Sequence, residues 1–335
     1  MSTAAAADAP SDGPQPVPSF GAAAEQRPGG TPVCFRHSGR ETYLRCNRCE
    51  RYICTDCLVP AAVGHQCPEC VHGGARAVRE PRTAVGGRVH ARTGVVTIAL
   101  IAVNVVMYGL QQLVGEAFTA RLELLGVAGS SAAIPSAVNI GVANGEWYRL
   151  VTAMFLHVSV MHITLNMLSL WWIGQPVEAR LGRLRFFLTY LVCGIGASAI
   201  SFAFMGRYSA PSAGASGAIF GLLGVLAVLA YREKLDLRPI AFVIAVNLAY
   251  DFAMTGIDWH DHLGGLGSGL IMGAAFGFAP RPAVRGAWYR TAQNLVPLGA
   301  GLAVLVATVV IVAVHSATLQ EGGAVASALG PWVHG

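Results

Sequence analysis

Charge is what this chain has least of. Only 12% of its 335 residues are Asp, Glu, Lys or Arg, against 54% apolar residues. A globular domain kept in water carries about 25% charged residues, so an ordinary soluble protein is excluded. The net charge of +5 is too small to mark a nucleic-acid surface. No basic segment followed by an apolar core opens the chain, so its first residues lack the pattern of a cleaved secretion signal. Cysteine is nearly missing after residue 70. Seven of the eight fall between Cys34 and Cys70, and Cys193 stands alone in an apolar run, where it reads as a small packing residue.

What remains is strongly zoned. Residues 1–30 are rich in Ala, Pro, Gly and Ser and read as a disordered tail. Residues 31–72 hold the cysteines, and residues 73–92 read as a basic, glycine-containing linker. From Gly94 onward, apolar runs of about 20 residues recur, each long enough to cross a bilayer. They lie near 94–114, 151–173, 185–206, 214–231, 238–257, 261–279 and 295–315, with a polar segment over 115–150. This predicts an all-α polytopic membrane protein with seven spans. The loops before span one and between spans two–three, four–five and six–seven carry Arg88, Arg92, Arg180, Arg183, Arg185, Arg232, Lys234, Arg238, Arg281, Arg285 and Arg290. The opposite side carries Arg121, Arg149 and Arg207. The positive-inside rule then puts the N-terminus in the cytoplasm and the C-terminal tail outside the plasma membrane.

The cysteine module reads Cys34-x2-His37, Cys46-x2-Cys49, Cys54-x2-Cys57 and Cys67-x2-Cys70. Two residues between ligands let a tight knuckle present both to one ion, and four such pairs suffice for two closed zinc sites. A disulfide scaffold conflicts with a reducing cytoplasm. Closed sites fold a domain and do not catalyse, so a scaffold for a protein partner is expected here. The spacing resembles a B-box-type zinc finger, in which alternate pairs share an ion. That resemblance implies Cys34, His37, Cys54 and Cys57 on one zinc and Cys46, Cys49, Cys67 and Cys70 on the other, with His65 and His72 as bystanders.

Polar groups inside spans are costly and mark candidate function. Span two contains His157, His162 and Asn166; the last two are four apart and share a helical face. Span six opens His260-Asp261-His262 and continues with Gly265, Gly269, Gly273 and Gly277 at intervals of four, a face bare of side chains. Span four opens Gly214-Ala215-Ser216-Gly217, and Gly214, Gly217 and Gly221 give it a matching small face. Close packing of the two would bring the Ser216 hydroxyl towards His262, a base suited to activating it near neutral pH. The Ser216 amide and the side chains of His162 and Asn166 could bind the resulting oxyanion, with His157 lining a polar cavity. The G-x-S-x-G elbow of soluble hydrolases does not fit, because Ala218 stands where its second glycine belongs. The acids Asp251, Asp258 and Asp261 could orient His262, but loops at the end of a span are wet, and the solvated reading is preferred.

Taken in order, Trp147-Tyr148-Arg149, His157, His162 and Asn166, Gly214-Ala215-Ser216-Gly217, and His262 before Gly265 resemble the rhomboid intramembrane serine proteases over residues 94–280. The resemblance implies a six-helix core over 93–280, with residues 281–335 supplying an appended seventh span and a short outer tail. It implies a Ser216–His262 dyad with no required acid and an oxyanion site from His162, Asn166 and Ser216. Trp147, Arg149, Glu178, Gly214, Gly217 and Gly265 are structural positions of the motifs. The implied substrates are single-span membrane proteins cleaved in the bilayer, with no cofactor in the catalytic core and no nucleic-acid partner. A catalytically silent client-binding relative is the alternative. A transporter would show repeated broken helices in both halves, and no such symmetry is visible.

Overall fold

The computed structural model describes residues 30–77, 82–89, 92–127, 140–206, 209–254, 256–280 and 287–329. Most of the expected tail, as well as Arg207, Arg281 and Arg285, lies outside the described residues. The chain divides after Glu80 into two units.

The first unit is organised by its cysteines. Turns close two of the paired steps, with the amide of His37 donating to the carbonyl of Cys34 and that of Cys57 to that of Cys54. A short antiparallel ribbon, β1 (Val59–Pro60) and β2 (His65–Gln66), leads into helix α1 (Pro68–Ala77). The helix runs past residue 72, where the module was expected to end. Pro68 at its first position and Glu69 in its first turn suit a helix start. Buried Ile53 and five buried cysteines make up the core, which is too small to hold a fold by apolar burial alone.

The second unit is helical. It comprises α2 (Val95–Val114), α3 (Glu116–Leu122), α4 (Arg149–Thr152), α5 (Val160–Leu181), α6 (Arg183–Phe204), α7 (Ser216–Arg232), α8 (Arg238–Ala253), α9 (Trp259–Phe278) and α10 (Ala287–Leu329). Large apolar side chains such as Leu113, Leu168, Trp172, Phe242 and Leu302 are exposed around it. A surface of that kind needs lipid to cover it.

Each of the seven expected spans has a helix, but among the described residues only α2, α6 and Thr291–Glu321 within α10 are long and apolar enough to cross a bilayer unaided. The second span is broken: Arg149–Phe155 and α5 meet at 94°, and counted together they give a fourth. Ser159 caps the new start by accepting from the amide of His162. At a rise of about 1.5 Å per residue, α7 and α8 reach only about 25 Å, short of a hydrocarbon core of about 30 Å. The start of α9, His260-Asp261-His262, is polar, which shortens its apolar stretch.

Helix α7 is the centre of this unit, with every residue from Gly217 to Val225 buried. Its contact with α9 is backbone on backbone. A Cβ on Gly265 would overlap the carbonyl oxygen of Gly217, and one on Gly269 would overlap that of Gly221. Gly224 adds a third such approach, 2.7 Å from its Cβ position to the Leu266 oxygen. Gly214 is not part of this face, because it precedes the helix and its Cβ position lies 3.0 Å from the His162 ring.

Buried charges tie the remaining elements together. Glu178 accepts from the amides of Val96 (3.1 Å) and Thr97 (2.8 Å) and from the Thr97 hydroxyl (2.8 Å), fixing the start of α2 to α5. Arg149 donates to Glu146 and to the carbonyls of Ala120 and Glu123, each at 2.8 Å, and so folds the long loop. Residues 82–89, expected as linker, pack into this unit: Val85 joins its core, and Arg185 donates to the Val85 carbonyl at 2.5 Å.

The glycine contact predicts an asymmetric response. Gly269→Leu drives a side chain into the α7 backbone and should cost about 3 kcal/mol or more, read as loss of monodisperse protein in detergent and a lowered melting temperature. Gly267→Ala, whose Cβ would meet nothing within 4 Å, should leave both unchanged.

Candidate active site and metal clusters

A cavity of about 610 Å³ opens at the end of the membrane unit where α7 and α9 begin, and its walls include His162, Asn166, Ser216, Asp251 and His262. Ser216 is the first residue of α7. First-turn amides of a helix have no intrahelical acceptor, so donors and the positive end of the helix dipole face this hollow. His262 lies in the first turn of α9, and its ring stacks on Phe220 with centroids 4.3 Å apart and planes 8° apart. Phe220 is one turn below Ser216 on the same face of α7. That stack brings the imidazole to the depth of the hydroxyl, although no hydrogen bond joins the two in this state. Such bonds tighten once substrate is present.

His162 lies across the cavity. The point where a Gly214 Cβ would stand is 3.1 Å from His162 Nε2 and 3.3 Å from Ser216 Oγ. Any side chain at 214 would therefore fill the gap between hydroxyl and imidazole. Asn166, one turn on, donates to the His162 carbonyl at 3.2 Å and keeps its amide in the wall. His157 does not line the cavity as expected. It sits in the break before α5, 1% exposed, with its amide bonded to Gln111 and its ring edge-on to His162 at 5.2 Å. Trp147 is exposed, whereas Arg149 and Glu178 are buried supports at a distance from the cavity wall. Outside the spans, burial raises the Glu146 carboxyl, but the amide of Gly141 and the guanidinium of Arg149 outweigh it and hold the group below its usual range.

The acids depart from expectation. Asp251 and Asp261 are buried, at 4% and 9% exposure, and are not solvated. Asp258 caps α9, accepting from the amide of Asp261 and from the hydroxyl of Ser201. Asp261 packs against Gly217. Asp251 Oδ2 lies 2.5 Å from His262 Nδ1. An ionisable residue late in an otherwise apolar stretch was the available signal for it.

In the first unit two clusters form: Cys34, His37, Cys54 and Cys57, and Cys46, Cys49, Cys67 and Cys70, with all ligand atoms of each within 4.8 Å of one another. Tetrahedral zinc with bonds of about 2.3 Å to sulfur spaces its sulfurs about 3.8 Å apart. His37 Nδ1 lies 3.8, 3.3 and 3.4 Å from the sulfurs of Cys34, Cys54 and Cys57, and the sulfurs of Cys49 and Cys67 are 3.8 Å apart. The clusters could therefore hold metal ions. Burial raises the Cys34 and Cys46 thiols, but backbone amides, among them those of Cys54 and Cys67, outweigh it and bring both to about 6. His65 and His72 are exposed and belong to neither cluster.

Comparison with known proteins places this geometry. The rhomboid domain family model matches residues 144–278. The chain is 37% identical over 165 residues to the rhomboid protease GluP of Bacillus subtilis, covering 48% of this chain and 32% of that one. It is 36% identical over 137 residues to RHOMBOID-like protein 6, mitochondrial, of Arabidopsis thaliana, covering 39% of this chain and 44% of the relative. A shorter match, 44% over 57 residues, is to the putative rhomboid protease YdcA of Bacillus subtilis. The chain thus spans less than half the length of the curated relatives it matches. With its apolar helices, this similarity makes it a multi-pass membrane protein. Residues 144–278 are thus a rhomboid domain, and over that stretch the chain is similar to rhomboid proteases.

Proposed function

We propose that this protein is an intramembrane serine endopeptidase that cleaves transmembrane-helix substrates with Ser216 and His262. One observation carries the reading: the serine at the start of α7 and the histidine at the start of α9 open onto one cavity, on helices locked by glycine contacts, opposite His162 and Asn166. In the mechanism, His262 Nε2 takes the hydroxyl proton as Ser216 Oγ attacks the scissile carbonyl. The oxyanion is met by the Ser216 amide, Asn166 Nδ2 and the His162 ring, donors worth about 3 kcal/mol each in a site poor in bulk water. His262 then protonates the leaving amine, which departs and leaves an acyl ester on Ser216. Water enters from the cavity, gives its proton to His262 and releases the new carboxyl end, and Ser216 recovers its proton. The substrate helix has to unwind locally, since a helical peptide carbonyl is shielded by its own hydrogen bonds.

The short α7 supports a recessed site reached by water. Arg180 pairs with Glu233, Arg183 donates to the carbonyl of Arg92 and Arg232 to that of Gly277, so basic residues from three connections gather at the end opposite Ser216. The positive-inside rule assigns that end, with residues 31–72, to the cytoplasm, and the cavity to the outside of the plasma membrane. The two cysteine clusters are read as structural zinc sites that fold the small unit, which in turn would present a surface to a protein partner.

Two measurements test these assignments. In proteoliposomes with a single-span substrate, Ser216→Ala and His262→Ala should each lower cleavage at least about 10³-fold; equal cleavage by all three proteins removes the pair from the chemistry. Metal analysis of the purified full chain should return two zinc ions, and Cys54→Ser should reduce that to one. No zinc in the wild type overturns the metal assignment.

A further inference from the structure

The acid that meets His262 comes from a helix that is otherwise hardly buried. Of the sixteen residues of α8, Asp251 alone is fully buried. Ile240 and Ile244 reach the core only in part, while Phe242, Tyr250 and Phe252 are exposed. A carboxylate in such a place is expensive unless a partner answers it. Its partner is the Nδ1 side of His262, at 2.5 Å. The ring's plane is already set by Phe220, so the bond to Asp251 decides what its two nitrogens carry. The neighbouring acids are engaged elsewhere, Asp258 with the α9 cap and Ser201, and Asp261 against Gly217.

We infer that Asp251 is a positioning residue for the His262 base, supplied by α8. Its carboxylate accepts a hydrogen bond from Nδ1–H, which leaves Nε2 as the lone-pair nitrogen facing the Ser216 hydroxyl and holds the imidazolium once the hydroxyl proton has moved. The carboxylate itself takes up no proton. The site thereby acquires the orienting third group of a serine triad, and the base is complete only while α8 is docked. This inference rests on the protease reading of Ser216 and His262.

Asp251→Asn is the informative change. Its amide keeps the volume but donates to Nδ1, forcing the ring proton onto Nε2, where it blocks the base. With a fluorogenic single-span substrate in proteoliposomes, the expected result is a fall in kcat of about 10²- to 10⁴-fold with KM within about threefold. Asp251→Glu, which keeps the carboxylate, should recover at least about tenfold over the asparagine variant. Thermal unfolding of each variant separates this from loss of fold. A second readout needs no turnover: in ¹⁵N-histidine spectra of the Ser216→Ala protein, with His262 assigned by its loss in His262→Ala, the ring should be protonated on Nδ1, and adding Asp251→Asn should move the proton to Nε2. Wild-type kcat in Asp251→Asn, or an unchanged tautomer, overturns the inference. If the wild type itself does not cleave, the protease reading fails, and the tautomer measurement still decides whether Asp251 sets the ring.

Discussion

The distance between two helix backbones governs everything chemical in the membrane unit. Where Gly217 and Gly221 of α7 meet Gly265 and Gly269 of α9, no side chain intervenes. In lipid there is no hydrophobic force between apolar helices, so their association relies on van der Waals contact, to which small residues give access. The carbonyls of one helix lie against the Cα atoms of the other, a contact worth about 0.5–1 kcal/mol each. More important is rigidity: a serine and a histidine on different helices hold a working separation only if the helices cannot slide. A pair on flexible side-chain packing would lose far more to misplacement than it gained in adaptability.

Around that contact the unit answers its buried charges one by one. Glu178 is met by three donors and Arg149 by three acceptors, and Asp251 is met by one imidazole. The first two sit where elements must be joined, α2 to α5 and the long loop to itself. The third joins α8 to the site. An unanswered charge at these depths would cost several kcal/mol, so each partner also fixes the register of the element that bears it.

Local patterns made much of this legible. Apolar runs located all seven helices, interval-of-four glycines located the α7–α9 contact, and alternate cysteine pairs matched the two clusters. What failed to show depended on tertiary placement. Asp251 read as a solvated acid near the end of its span because its partner lies across a turn whose fold no spacing encodes. His157 looked like a cavity residue because the apolar run through 151–173 hides the break that Ser159 caps. Residues 82–89 looked like linker on composition, whereas Val85 and the bare backbone of Gly87 fit against the junction of α5 and α6.

The long loop has a second fastening besides Arg149. Val312 and Leu319 of α10 join Leu124, Val142 and Phe202 in one apolar cluster, Gln320 donates to the Ala143 carbonyl at 2.7 Å, and His315 to that of Met205 at 2.8 Å. These residues leave the ribosome well after α9 is complete. Closure of the loop over 140–150 therefore depends on a residue 177 positions later in the chain, and α10 acts as its clasp.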